Sequence, residues 1–170
     1  MLAIDISDNT LAALRVLANS TPGLEVRKLD ARDMRALPDR SFDRIMVLGN
    51  TFSGMYTDEK PGTERCVQVD VLRDLVRIAS EEVYITLSRP ASLRVMLQFY
   101  RMNAWHCYDV DHDTGVKRLR WQARDRVLEF RSQHFTLEQI ENLLHESEVP
   151  QPNCSISEIN EMLWLVRIRK

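Results

Sequence analysis

Two periodicities take turns along the first half of this chain, and that alternation restricts its fold more than any other feature. Leu2-Ala-Ile-Asp-Ile6 is a short apolar run that meets a carboxylate, and Ser7-Asp-Asn-Thr10 comes directly after it, rich in residues that cap helix N-termini. Leu11, Leu14 and Leu17 then recur at helical spacing with Arg15 on the other face. Thr21-Pro-Gly23 stops that helix, because Pro22 cannot continue it and Gly23 suits a left-handed cap. Leu24-Glu-Val-Arg-Lys-Leu29 alternates apolar and charged, as a half-exposed edge strand does, and leads to Asp30.

Ala36-Leu-Pro-Asp-Arg-Ser41 is a turn-rich connection. Phe42-Asp-Arg-Ile-Met-Val-Leu48 is more continuously apolar, which predicts a more central strand, and it runs into Gly49-Asn-Thr-Phe-Ser-Gly54. Residues 56–62 are polar and loop-like. Residues 63–80 carry Val67, Val71, Leu72, Leu75, Val76 and Ala79 on one helical face, and Glu82-Val-Tyr-Ile-Thr-Leu87 has the β-branched and aromatic content of a strand. The order strand, helix, strand, strand, helix, strand predicts an α/β fold with a mostly parallel sheet.

The second half changes character. Residues 91–103 predict a helix, through Leu93, Val95, Met96, Leu97, Phe99 and Tyr100. Residues 104–111, 116–122 and 126–133 predict three antiparallel strands, the first two joined by a turn at Asp113-Thr-Gly115. These strands, about residues 104–133, form a small antiparallel insertion. Thr136-Leu-Glu-Gln139 fits a capping box, with Leu137, Ile140, Leu143 and Leu144 lining the helix it opens. Pro150 and Pro152 interrupt the chain, and residues 154–159 and 162–169 predict a closing antiparallel hairpin.

At 170 residues the whole chain, 1–170, is expected to form a single domain with a real core. A net charge of −2 gives no general attraction to nucleic acid or anionic membrane. No apolar run approaches the roughly 18 residues that cross a bilayer. The N-terminus lacks the basic-then-apolar pattern of a signal peptide. Cys66, Cys107 and Cys154 are odd in number and lack C-x-x-C spacing, so buried free thiols in a reducing cytoplasm are expected rather than a disulfide or zinc site. Asp109-Val-Asp-His-Asp113 superficially suggests calcium, but Thr114 and Arg120 stand where an EF-hand needs Gly and Glu. No pair among His106, His112, His134 and His145 has metal-ligand i, i+4 spacing, so no metal is expected. Lys117, Arg118, Arg120, Arg124, Arg126 and Arg131, with Trp121 among them, are densely basic, yet strand alternation favours a solvated face over an RNA site.

The strand ends define the candidate site. A carboxylate at the C-terminal end of a parallel strand can accept both hydroxyls of a nucleoside ribose, which places Asp5 as a cofactor contact. A bland alternative is that Asp5 shapes the turn into the next helix. Asp30 holds the equivalent place one strand on and is open to the same alternative. Asn50 and Phe52 either shape a loop or face a ligand, and Phe52 is equally open to a place in the core.

Several stretches in fixed order then carry a resemblance. They are Ala3-Ile-Asp-Ile-Ser7 with Leu11, Leu29-Asp-Ala-Arg-Asp-Met34, Leu37-Pro-Asp-Arg-Ser-Phe-Asp43, Val47-Leu-Gly-Asn-Thr-Phe52 and Phe135-Thr-Leu-Glu-Gln-Ile140. Together they cover most of the chain and resemble the class I S-adenosylmethionine-dependent methyltransferases. Leu48-Gly-Asn-Thr-Phe52 is similar to the small-molecule N-methyltransferases of the glycine N-methyltransferase type. The resemblance implies a Rossmann-like methyltransferase sheet with a C-terminal antiparallel hairpin, and S-adenosylmethionine as cofactor. It implies that Asp5 accepts from the ribose, that Ile6 lies on the adenine face, and that Asp30 and the Ala31 N–H read the adenine edge. Gly49 and Asn50 face the methionine portion and the substrate, and Phe52 lines the acceptor pocket. Methyl transfer from a sulfonium needs orientation more than acid–base groups, so no nucleophile or His dyad is required.

One departure stands out. Members of that family carry a strand ending in an acidic, glycine-rich loop ahead of the Asp5 strand, and here no two of Gly23, Gly49, Gly54, Gly62 and Gly115 are spaced G-x-G. The expected fold is therefore N-terminally truncated, with its first strand missing between the strands of Asp5 and Leu48. Those two edges are expected to pair with each other or with another chain, as in a homodimer or with a partner that completes the sheet. The expected function is methyl transfer to a small-molecule acceptor, incomplete as this chain stands. The alternative is a non-catalytic methyltransferase-like subunit serving as an oligomerisation or binding module. A third reading, a nicotinamide-dependent Rossmann enzyme, is disfavoured by the closing hairpin and by Leu48-Gly-Asn-Thr-Phe52.

Overall fold

The computed structural model describes residues 1–48, 51–54, 64–102, 105–123 and 126–170. They fall into two compact units, Met1–Pro38 and Asp39–Lys170.

The first unit is one strand–helix–strand turn. β1 (Leu2–Asp5) runs parallel to β2 (Glu25–Lys28), with α1 (Asp8–Ala18) between them in the chain. Ser7 is the N-cap of α1, and its side chain accepts from Thr10 N–H at 3.4 Å. α1 ends at Ala18 with Asn19 as its right-handed C-cap (φ −62°), so Gly23, at φ +79°, is not the helix cap that the sequence suggests but the left-handed residue of the next turn, where Leu24 N–H donates to the Thr21 carbonyl at 3.2 Å. β2 shows the expected edge pattern, with Val26 half-buried between exposed neighbours. Leu11 of α1, at 0% exposure, and Met34 and Leu37 beyond β2 are the buried apolar side chains of this unit.

The second unit holds two sheets. In the larger, the order is β3 (Phe42–Val47), β4 (Ala79–Ser88), β9 (Leu163–Arg169), β8 (Cys154–Glu158), with β3 parallel to β4 and the remainder antiparallel. α2 (Glu64–Ile78) passes into β4 without a loop, so Ala79 belongs to the strand and not to the helix that its spacing predicts. Leu72, Leu75 and Ile78 of α2, Val83, Ile85 and Leu87 of β4, Val166 and Ile168 of β9, and Ile140, Leu143 and Leu144 of α4 (Leu137–Glu146) are all buried. Each such aliphatic side chain contributes roughly 1.5–3 kcal/mol on leaving water. Leu137, expected on that apolar face, is 44% exposed, because it opens the helix one turn ahead of the buried stripe.

α4 starts at the full capping box: Thr136 Oγ1 accepts from Gln139 N–H at 3.2 Å, and Gln139 Oε1 accepts from Thr136 N–H at 2.9 Å. The closing hairpin is tied to that start, since the Trp164 indole N–H donates to the Phe135 carbonyl at 2.8 Å. The smaller sheet is β5 (Trp105–Val110), β6 (Val116–Ala123), β7 (Arg126–Gln133), antiparallel throughout and preceded by α3 (Leu93–Met102).

One expectation about the larger sheet changes. β3 is an outer strand of its sheet among the described residues, and Met46 is 64% exposed. Its apolar content reads as a central strand, but β4, ten residues long and paired on both sides, takes that place. β1 makes its ladder with β2 inside the first unit, and β3 makes its ladder with β4 inside the second. Among the described residues no helix is long and apolar enough to cross a membrane.

Candidate functional site

In the first unit the parallel register sets Asp5 opposite Lys28, and Asp30 lies two residues beyond it. Both carboxylates therefore stand at the C-terminal end of the strand pair. Asp5 Oδ1 accepts from the Ser7 N–H at 2.7 Å, which opens the turn into α1. Its other oxygen makes no hydrogen bond among the described residues, so the carboxylate shapes the turn and keeps acceptor capacity. Ile6 beside it presents an apolar side chain that is 56% exposed.

Asp30 is differently placed. Oδ1 accepts from Arg32 N–H at 2.9 Å and Nε at 3.0 Å, and Oδ2 accepts from Nε at 3.0 Å and Nη2 at 2.6 Å. The Arg32 side chain, with its backbone N–H adding to it against partial burial, holds the Asp30 carboxyl below the usual carboxylate range. Three Arg32 donors, the backbone N–H, Nη2 and an Nε–H shared between both oxygens, thus engage the Asp30 carboxylate. Ala31, between them, is half-buried.

In the second unit the strand mouth is the C-terminal end of β3 together with the turn at Thr51–Gly54. Gly49 and Asn50 lie outside the described residues. Thr51 bonds back to the Leu48 carbonyl through its hydroxyl at 2.8 Å, and Phe52–Gly54 forms a single 3₁₀ turn. Phe52 is 0% exposed, with its ring 6.5 Å from that of Phe135, so it packs in the core behind this mouth. The aromatic side chain that meets both this turn and solvent is Phe130 of β7: a Cβ placed on Gly54 stands 3.1 Å from its ring, and the residue is 40% exposed.

A buried ionisable pair lies in the same unit. Lys117 of β6 is 0% exposed and His134, just past β7, is 4% exposed. Burial pushes the Lys117 amine down to about 8, and burial reinforced by Lys117 and His112 pushes the His134 imidazole down to about 4. Both His134 ring nitrogens are buried without a hydrogen-bond partner among the described residues. Lys117 thus departs from the solvated basic face that the sequence suggests. The signal was present in the alternation, which sets Lys117 in phase with Leu119 and Trp121 rather than with Arg118 and Arg120. Arg118 does reach out, to Asp109, and Asp111 accepts from Asp113 and Thr114 N–H groups to close the hairpin. Arg124 lies outside the described residues, as does the 56–62 loop; Cys66 belongs to α2, while the free thiols Cys107 and Cys154 are half-buried.

No protein-family model matches the chain, and no curated protein matches it by sequence. Solved structures do. The PH0226 protein from Pyrococcus horikoshii OT3 superposes with a TM-score of 0.69 at 13% identity, over 99% of this chain and 72% of that one. An S-adenosylmethionine-dependent methyltransferase from Clostridium acetobutylicum ATCC 824 superposes at 0.60 and 11%, over 99% and 74%. Magnesium protoporphyrin IX methyltransferase from Synechocystis PCC 6803, solved with SAH, superposes at 0.55 and 9%, over 99% and 63%. The likeness is one of fold: this chain has the α/β fold of the S-adenosylmethionine-dependent methyltransferases, with mixed rather than purely parallel sheets.

Proposed function

We propose that the chain binds S-adenosylmethionine and serves methyl transfer to a small-molecule acceptor. The observation that carries this reading is Asp5. It ends a parallel strand, one oxygen is committed to the Ser7 N–H, the other is available, and an exposed Ile6 lies beside it. That set fits a ribose with its attached base, a carboxylate for the hydroxyls and an apolar side chain for the ring. Ala31 belongs to the same strand-pair end. Gly49 and Asn50 are assigned to the methionine portion and the acceptor, and the buried Phe52 to the core beside Phe135.

When bound, S-adenosylmethionine supplies an electrophilic methyl group on a sulfonium. Asp5 and Ile6 would hold its ribose and base, and Gly49 and Asn50 its methionine portion, leaving the methyl group to a nucleophilic acceptor. The chain's own contribution is to hold the two reactants in line. The single domain of this reading contains β5–β7 as an insertion.

Titration calorimetry with SAH tests the proposal. The unaltered chain is expected to bind SAH and not NAD, and Asp5→Ala is expected to weaken SAH by about tenfold or more, the worth of a lost charge-assisted hydrogen bond. Binding of NAD in preference to SAH, or unchanged SAH affinity in Asp5→Ala, overturns it. A second reading, the non-catalytic subunit, is favoured by Arg32, which already engages both oxygens of the Asp30 carboxylate. Under it SAH fails to bind even after Arg32→Ala, whereas under the first reading Arg32→Ala tightens SAH.

A further inference from the structure

The larger sheet of the second unit has two unlike faces. Val83, Ile85, Val166 and Ile168 point to one of them and are buried. The residues between them belong to the other, because successive side chains of a strand alternate. There the register puts Arg44, Glu82 and Arg169 in one row, and Met46, Tyr84, Arg167 and Ser155 in the next. None of these is buried.

On this face three guanidinium groups meet one carboxylate. Glu82 Oε2 accepts from the Tyr84 hydroxyl at 2.6 Å, and Oε1 accepts from Arg167 Nε at 3.0 Å and from its Nη2. Arg167 is held in place over the Tyr84 ring, 5.6 Å from its centroid. Arg44 Nε stands 3.3 Å from Glu82 and 3.7 Å from Glu81, and Arg169 Nε stands 3.9 Å from Glu82. Among the described residues neither the Arg44 nor the Arg169 side chain donates a hydrogen bond, and they are 62% and 63% exposed. Positive charge is in excess over Glu81 and Glu82, and two guanidiniums drawn to the same carboxylate keep their N–H donors for something else.

Like charges gathered in this way repel unless an anion shares them. The donors indicate its class. Each guanidinium offers a planar fork of N–H groups that matches a carboxylate or a phosphate. Two forks on different strands suit the group with more oxygens and up to two charges, which is the phosphate. Arg167 and Tyr84 stay on Glu82 throughout, so its charge remains balanced.

We propose that Arg44 and Arg169 form a binding site for a phosphate group on this open face of the sheet. It lies towards the start of β3, whereas the mouth read as the acceptor site lies at the end of that strand, so the proposal stands apart from the methyl-transfer reading.

The test is calorimetry on the full chain in phosphate-free buffer. Inorganic phosphate, glycerol 3-phosphate and acetate are the soluble probes, and phosphatidylcholine vesicles containing phosphatidic acid are the lipid probe. Inorganic phosphate is expected to bind about fivefold or more tighter than acetate. Arg44→Gln and Arg169→Gln are each expected to weaken phosphate about fivefold or more, while Arg15→Gln on α1, which removes the same charge elsewhere, leaves it within about twofold. If Arg44→Gln melts early, having left Glu81 and Glu82 without that ion pair, Arg169→Gln alone decides. Glycerol 3-phosphate binding as well as inorganic phosphate supports a soluble phosphorylated compound as the source. Vesicle binding that far exceeds both, and that falls in the Gln variants, supports the same site with a lipid headgroup as the source. Equal affinity for phosphate and acetate overturns the ligand class. No binding of any phosphate probe, affinity unmoved in the Gln variants, or an equal loss in Arg15→Gln overturns the site.

Discussion

Replacing Lys117 with Met is expected to stabilise this protein at neutral pH, because the amine is buried. Lys117 has 0% exposure, and burial lowers its amine from 10.5 to about 8. The folded chain therefore gives up its proton at lower pH than the unfolded chain. Between pH 8 and 10.5 the unfolded state binds more protons, so stability rises with pH across that window, and below pH 8 the full cost of burying the charge is present. The gap corresponds to about 3 kcal/mol, an upper bound because Met must recover the packing of the lysine stem. For a chain of this size 1 kcal/mol moves Tm by about 2–4 °C. Met keeps an unbranched stem of similar reach and carries no charge. Urea unfolding at about pH 7 and at pH 10.5 is the assay. The variant is expected to gain about 1–3 kcal/mol near pH 7, with the gain shrinking towards zero as the lysine is neutralised in both states. A variant less stable at neutral pH, or a difference that does not change with pH, refutes the reasoning.

His134 gives the complementary acid-side effect: its folded value of about 4 lies below the ordinary 6.5, so its stabilising share is complete above pH 6.5 and is lost as pH falls towards 4. Urea midpoints of the unaltered chain are expected to drop across that window by the equivalent of up to about 3 kcal/mol, and His134→Leu to flatten the drop; an equally steep profile in the variant refutes the assignment. Gly115→Ala is expected to cost at least about 2 kcal/mol, since Gly115 sits at φ +73° and a Cβ there stands 2.3 Å from the His134 carbonyl oxygen, with backbone atoms unable to yield. Equilibrium unfolding checks it, and a loss under about 0.5 kcal/mol contradicts the geometry.

The features that were legible in the chain are those decided within a few residues. The cap at Ser7, the reciprocal Thr136–Gln139 box, the left-handed glycines at 23 and 115 and the alternation of β5–β7 all depend on local hydrogen bonds or on one residue's φ. The strand-end place of Asp5 belongs with them, because a short apolar run that meets capping residues leaves the carboxylate nowhere else to stand.

Tertiary structure decided which neighbours those elements meet. β3 carries the apolar content of a central strand and lies at a sheet edge among the described residues, since pairing is settled by strands far away in the chain. Phe52 reads by sequence as a loop, core or ligand-facing aromatic, and only its packing against Phe135 places it in the core. Asp30 reads like a second Asp5 until the Arg32 guanidinium is seen folded onto it. Lys117 was in phase with Leu119 and Trp121 from the start, but whether that phase faces core or water depends on what the rest of the fold sets against the sheet. A period of two names the faces of a strand; burial is a property of the surroundings, which the strand's own residues do not contain.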